Sequence, residues 1–314
     1  MQRLARLSRK DKLVMLGLVG IPTLAIVVFV WGPALASVFL SFTRWNGVGG
    51  LRLEACQPPP MPSVLNNGCL YGVQNYAQAA TIYPEFWPAV VHNLIWLAVF
   101  IGFATPLGMA FALIIDSGVK GSRFYQSALF MPVLLSLALI GIIWEFMYSS
   151  NYGLINTMLG RTADNNLIDW LGNPKLNLWA VLVEASWRQA GYVMVLYLAG
   201  LKSVDPALKE AASLDGVNEW QRFRYVTFPV MHPINLVIII VTVIESLRAF
   251  DLVYITNRGH SGLELLSVLV TNNIVGEIQR IGFGSALGVV LLVIALVPIV
   301  IFLWRAFRKE GSFR

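Results

Sequence analysis

The sequence predicts an all-α integral membrane protein with six spanning helices, and three observations carry that prediction. First, the 314-residue chain is 57% hydrophobic and only 13% charged, where soluble domains carry roughly a quarter charged residues. Second, six apolar runs approach the about 20 residues that a spanning helix requires. They lie near 13–42, 89–115, 124–148, 177–200, 232–251 and 284–304. Third, Lys and Arg are distributed unevenly between the connecting segments. Segments 1–12, 116–123, 201–231 and 305–314 hold about fifteen of them, and the intervening loops about six. That asymmetry places both termini in the cytoplasm.

The organisation that follows is a basic cytoplasmic segment at 1–12 and one transmembrane domain over 13–314, with a long cytoplasmic loop at 201–231. The net charge of +6 and pI of about 9.4 would suggest nucleic acid for a soluble protein. Here the basic residues flank apolar runs, so no nucleic-acid partner is expected. The first run carries Pro22 and Pro33 and is expected to tilt or kink. Its "ALA" at 34–36 resembles a cleavage site. The apolar stretch before it is about twice the roughly 7–15 residues of a signal h-region, so an uncleaved helix is expected.

Cys56 and Cys69 are the only two cysteines, both in the first outer loop, "CQPPPMPSVLNNGC". A disulfide closing this short Pro/Gly/Asn-rich loop suits an oxidising compartment; the alternative is two surface thiols. The loops at 43–88, 149–176 and 252–283 have room for short interfacial helices, such as "YPEFWPAVVHN".

Catalytic patterns are missing. No HExxH occurs, and His92, His232 and His260 lie far apart, so no metal site is expected. "GHSGL" at 259–263 misplaces the second glycine of a nucleophile elbow, and "SGVK" at 117–120 lacks the companion motifs of SxxK enzymes. Without GxxxxGK[ST] the chain has no phosphate loop of its own. It is expected to be no enzyme, to need no cofactor, and to take any ATP-derived energy from another subunit.

The polar stretch "EAASLDGVNEWQRFRYVTFP" (210–229) is unusual between two spanning runs. Residues 205–229 read as two short helices. Asp205 is an N-cap with Pro206 at the first helical position, and Gly216 supplies the left-handed turn that ends the first helix. Asn218 with Gln221 forms a capping box that starts the second, and Pro229 is expected to end it. The product is a rigid unit with small alanines and Glu210 exposed, suited to close approach by a partner. A solvated loop on the membrane is the other reading.

These residues resemble the EAA loop of ATP-binding-cassette importer permeases, with Phe228 where leucine is usual. Four further stretches resemble the carbohydrate-uptake branch, in particular the larger maltose-transporter-type permease. They are "YGVQNYAQAATIYPEFWPAVVHNLIW" (71–96), "LYLAGLKSVDPALKEAASLDG" (196–216), "FDLVYITNRG" (250–259) and "FGSALGVVLLVI" (283–294). "NRGHSG" departs from the family's G-G-P in the third of these. The resemblance implies a type I importer permease fold, multi-pass in the plasma (inner) membrane of a bacterium. It implies that Glu210, Ala211, Ala212, Asp215 and Gly216 couple the subunit to a cytoplasmic ATPase. It also implies a second permease subunit, two ATP-binding subunits, an extracytoplasmic solute-binding protein and a di- or oligosaccharide substrate. A permease for another polar solute, a glycerophosphodiester or polyamine, is the alternative.

Charges inside spanning runs normally face a protein interior. Glu184 and Arg188 are four apart on the fourth run, and Glu245 and Arg248 three apart on the fifth, so each pair is expected to neutralise along its own helix. With Gln189, Thr242 and Ser246 they form a cluster that fits a polar pathway for sugar hydroxyls. The same cluster also fits an ion-pair network that only packs helices.

Overall fold

A computed structural model describes residues 8–56, 67–161, 166–276 and 279–310 of the chain. The basic leader's first seven residues, the Pro-rich stretch 57–66, residues 162–165 and 277–278 and the last four residues lie outside the described residues. Helix dominates, and among the described residues β-structure is limited to isolated bridges that tie Leu70 to Thr43 and to Ala55.

Three helical stretches are each long and apolar enough to cross a bilayer: Leu13–Leu40, Phe86–Asp116 and Ile281–Trp304. The first comprises α1 (Arg9–Ile26) and α2 (Gly32–Leu40). The second follows α3 (Gln74–Thr81) and comprises α4 (Phe86–Val99) and α5 (Thr105–Asp116). Both stretches contain a five-residue π-helical turn, Val27–Trp31 and Phe100–Ala104. The backbone N–H after each turn bonds five residues back, Gly32 to Val27 and Thr105 to Phe100, and the next residue is Pro33 or Pro106. A proline ring clashes with the carbonyl four residues behind it, and the wider turn moves that carbonyl aside. The helix therefore continues through the proline.

The third predicted span, 124–148, is not one helix. It is α6 (Ser122–Leu134) and α7 (Leu137–Tyr148), which meet at 101°. Ser136 is extended and its side chain accepts a hydrogen bond from the Leu139 N–H at 3.2 Å. The capped start of α7 thus replaces the ladder that a straight span would have kept. After α8 (Leu154–Met158), α9 (Asn177–Ser203) runs 27 residues, about 40 Å at 1.5 Å per residue. Then come α10 (Pro206–Leu214), α11 (Glu219–Arg222), α12 (Phe228–Val230) and α13 (His232–Leu247). The chain ends with α14 (Asp251–Asn257), α15 (Leu266–Ile274) and α16 (Ile281–Glu310).

The described chain forms two compact units. The first takes in residues up to Ile82 together with Val270–Val290. Its segment after α2 is pinned by a disulfide between Cys56 and Cys69, whose Cα atoms are 5.1 Å apart. Asn75 Nδ2 donates to the Ser41 and Thr43 carbonyls, both at 2.8 Å, and so satisfies the end of α2.

The second unit is built around α9, which is buried on nearly every side. Small residues allow its neighbours to approach closely. Ala104, Gly108 and Ala112 form a buried stripe, four residues apart, on the α5 side, the small-xxx-small pattern of membrane helix packing. A Cβ at Gly191 would lie 2.2 Å from the Leu129 carbonyl oxygen of α6. The segment from α14 to α15 is also core: Leu263, Leu265, Leu266 and Val268 are fully buried. Asn93 Oδ1 accepts the Leu266 N–H at 2.9 Å, and Asn177 Nδ2 donates to the Ser261 carbonyl at 2.7 Å. The "NRGHSG" departure forms this turn, with Arg258, Gly259, Ser261 and Gly262 at positive φ.

Candidate functional site

Two polar regions of the second unit are candidates for function, and each is built differently. The first is residues 205–222. Asp205 Oδ1 accepts the Ala207 N–H at 2.9 Å and Pro206 opens α10. Gly216 sits at φ +76°, a conformation that costs other residues a Cβ clash. Asn218 and Gln221 exchange side-chain-to-backbone bonds of 2.8 and 2.9 Å and start α11. Arg222 ties the two helices together, donating to Ser213 Oγ at 3.2 Å and pairing with Glu219. The unit is therefore stiff without a core of its own.

Glu210, Ala211, Asp215 and Gly216 are exposed, whereas Ala212 is buried against the rest of the subunit. Leu214 is 90% exposed, and Trp220 and Tyr225 are exposed as well. The second helix does not stop at Pro229. A third π-helical turn, Phe223–Thr227, precedes it, and the Phe228 N–H reaches back to Phe223. The proline is absorbed as Pro33 and Pro106 are, and the chain breaks two residues later, at Met231. Lys209 fixes the unit to α5 and α9, with Nζ 3.7 Å from Asp116 Oδ2 at the end of α5 and 3.3 Å from the Leu201 carbonyl of α9.

The second region is the interior where α9 meets α13. Neither expected intrahelical pair forms there. Arg188 NH1 lies 3.9 Å from Glu245 Oε2 on α13, so the ion pair crosses between helices and does not run along one. The facing carboxylate comes within reach because α9 and α13 are packed side by side. Glu184, 2% exposed, is left with Oε1 lacking a hydrogen-bond partner. One turn on, Gln189 Nε2 is 3.5 Å from Thr242 Oγ1, which is 3.4 Å from Thr105 Oγ1. Ser246 Oγ donates to its own helix, to the Val243 carbonyl at 2.9 Å.

A cavity of about 160 Å³ opens beside this interior. Arg188 and Glu245 line it; Arg248, Asp251, Trp96 and Phe250 complete its polar and aromatic walls. Of the six predicted pathway residues, only Arg188 and Glu245 reach it. Sequence reasoning missed Trp96 and Thr105. Thr105 carried a signal, being a lone hydroxyl before Pro106 in an apolar run. Trp96 carried none, since one aromatic among many apolar residues marks no site. The arrangement can hold a polar solute by paired hydrogen-bond donors and acceptors; it holds no nucleophile activated by a base.

Residues 104–310 match the family model described as binding-protein-dependent transport system inner membrane component. The trehalose/maltose transport system permease protein MalF of Thermococcus litoralis is 29% identical, over 77% of this chain and 80% of its own. The osmoprotective compounds uptake permease protein GgtC of Synechocystis sp. is 30% identical, over 77% of this chain and 88% of its own. Among solved structures, a bacterial ABC transporter involved in the import of the acidic polysaccharide alginate superposes with a TM-score of 0.76. It covers 98% of this chain and 99% of that one at 19% identity, so the type I importer permease fold is shared. The chain belongs to the family of binding-protein-dependent transport system inner membrane components.

Proposed function

We propose that this chain is the translocation subunit of an ATP-driven sugar importer, crossing a bacterial plasma (inner) membrane six times with both termini in the cytoplasm. The six crossings are Leu13–Leu40, Phe86–Asp116, the bent α6–α7 pair, α9, α13 and Ile281–Trp304. A second permease subunit, two cytoplasmic ATP-binding subunits that hydrolyse the ATP, and an extracytoplasmic solute-binding protein complete the machine. The sugar assignment draws on the maltose-type relative and on the resemblance of the motifs.

The observation that carries the reading is the capped unit at 205–222. It is ordered by its own hydrogen bonds, yet it keeps Leu214, Trp220 and Glu210 in solvent. A mere connector gains nothing from a rigid scaffold that displays large apolar side chains, whereas a docking knob needs both features. Glu210, Ala211, Asp215 and Gly216 form the face offered to the ATPase, and buried Ala212 seats the unit on the subunit. Closure of the ATPases pushes this unit, and the Lys209 contacts pass the displacement to the ends of α5 and α9. Their tilt alternately opens the α9–α13 interior to each side of the membrane.

One observation favours a second reading. The GgtC relative is named for osmoprotective compounds, so a polar osmolyte is the rival cargo. The coupling assignment is tested by Glu210→Lys and Gly216→Pro. Proline cannot adopt φ +76°, and both variants should abolish ATP-dependent uptake while membrane yield stays at the wild-type level. Full uptake by both removes the docking role.

A further inference from the structure

The connection between α7 and α9 belongs to neither candidate region, yet it is built with care. We propose that Tyr152, Leu154, Met158 and Leu159 form an anchor that sinks into the outer leaflet of the bilayer and fixes the outer end of α9. This inference rests on the six-crossing reading, which puts the connection outside the membrane's cytoplasmic face.

Bracing is the first argument. Asn156 is buried, and its Nδ2 donates to the Ser150 and Ile168 carbonyls at 3.0 and 2.9 Å. Its Oδ1 accepts the Trp170 indole N–H at 3.1 Å. One amide thus ties together both ends of the described connection. Above that brace Tyr152 is 91% and Met158 78% exposed, with Leu154 and Leu159 also exposed. Ordered backbone that holds four large apolar side chains outward marks a contact surface.

Composition and continuity are the second argument, and they select lipid as the occupant. Residues 151–160, "NYGLINTMLG", contain no charged side chain, whereas a protein-docking surface carries a polar rim. The chain enters this segment from α7, which exposes Leu139, Ile142, Ile143 and Phe146 at three- and four-residue spacing. It leaves into α9, which exposes Trp179, Val183 and Trp187 four apart. On crossing helices such stripes face the hydrocarbon. The exposed apolar surface therefore runs on from one lipid-facing helix towards the next.

Depth is the third. The Tyr148 hydroxyl donates to the Ala180 carbonyl at 3.0 Å, and its ring lies 5.9 Å from that of Trp170. Through Trp170 the brace at Asn156 is therefore level with the first turn of α9. That is where a crossing helix passes from hydrocarbon to headgroups, the depth that Tyr and Trp prefer. Leucine and methionine displayed there reach the acyl boundary, as in surface-bound amphipathic segments. An outer end held in the membrane plane makes α9 pivot when its inner end is displaced through Lys209.

The test places single spin labels on the permease–ATPase complex in lipid nanodiscs. Cys56 and Cys69 are bonded to each other, so Tyr152→Cys, Met158→Cys and Lys175→Cys each take one label. Lys175 is exposed at the far end of the same connection and serves as the water reference. Collisions with oxygen, which concentrates in lipid, are compared with collisions with a water-soluble nickel chelate. The oxygen-to-nickel ratio at 152 and 158 should be several times that at 175. Adding Leu159→Asp should cut the ratio at 152 about threefold, because aspartate resists burial in lipid. A ratio at 152 and 158 equal to that at 175 overturns the anchor, since the patch then lies in water. Exclusion of both relaxants overturns it too, because protein then covers the patch, and so does a ratio untouched by Leu159→Asp. An impermeant maleimide on intact cells separates the two readings. Lys175→Cys that reacts only after permeabilisation removes the six-crossing reading and this inference with it; reaction from outside with a water-like ratio at 158 removes the anchor alone.

Discussion

The 205–222 unit and the α9–α13 interior are both polar interruptions of apolar sequence, yet different physics builds them. In the first, the organising bonds span few residues: Asp205 to Ala207, Asn218 to Gln221, Arg222 to Ser213. In the second, Arg188 meets Glu245, Gln189 meets Thr242, and Thr105 meets Thr242 across 137 residues. The first keeps its shape whatever lies beyond it, and so can act as a rigid knob. The second exists only while α5, α9 and α13 stay packed, and so changes whenever those helices move. In the proposed mechanism the first would serve as a lever that does not bend and the second as an interior that does.

Three substitutions probe this division, beginning with the largest expected loss. Gly191→Ala tests whether the packing around α9, here against α6, depends on backbone approach. Its Cβ would sit 2.2 Å from the Leu129 carbonyl, and because that atom is backbone the cost should reach about 3 kcal/mol. Thermal unfolding in detergent should show a marked fall for this variant, and none for Gly17→Ala, where nothing lies within 4 Å. An equal effect at both positions would break the contrast.

Next in size is the Arg188–Glu245 pair. Separating a fully buried pair costs about 3–5 kcal/mol; here both side chains keep some solvent contact, so about 2 kcal/mol is expected for Glu245→Gln. Membrane yield should drop with it. The double variant Arg188→Met with Glu245→Gln should recover most of the loss, because no charge is then stranded. Additive losses would mean that the two groups do not form a unit.

The smallest effect belongs to the knob. Asn218→Ala removes the cap of α11 and should cost about 1 kcal/mol. Because that bond is local, the loss should show as faster hydrogen exchange confined to 217–222, with the melting temperature of the whole protein unmoved. Exchange that also rises in α9 would show that the knob is not independent.

The parts of this protein legible in the sequence are those decided within one turn of helix. Asp205, Pro206, Gly216, Asn218 and Gln221 occupy the backbone positions that their chemistry prefers, because a cap or a left-handed turn depends on neighbours a few residues away. Hydrophobic run length likewise announced long apolar helices. Prolines were legible only in part. Pro229 reads as a stop, but its clash lies with one carbonyl four residues back, and a π-helical turn removes it. The same device stands before Pro33 and Pro106, so an apolar run ahead of a proline can signal a wider turn and need not signal an end.

What only the tertiary structure decided is which charged group faces which. Spacing put Glu184 within reach of Arg188, and Glu245 within reach of Arg248, along single helices. The packing of α9 on α13 instead brings Glu245 to Arg188 and leaves Glu184 without that partner. A long side chain can choose between a partner one turn away and one on a facing helix. That choice depends on the distance between α9 and α13, where Gly200 of α9 packs against Met231 and Ile234 through contacts far apart in sequence. The bend at Ser136 belongs to the same class: a serine after an apolar run is compatible with a straight span, and packing selects the capped corner. Local chemistry determined the elements and the knob, while the interior that would hold a solute was decided by how closely the helices meet.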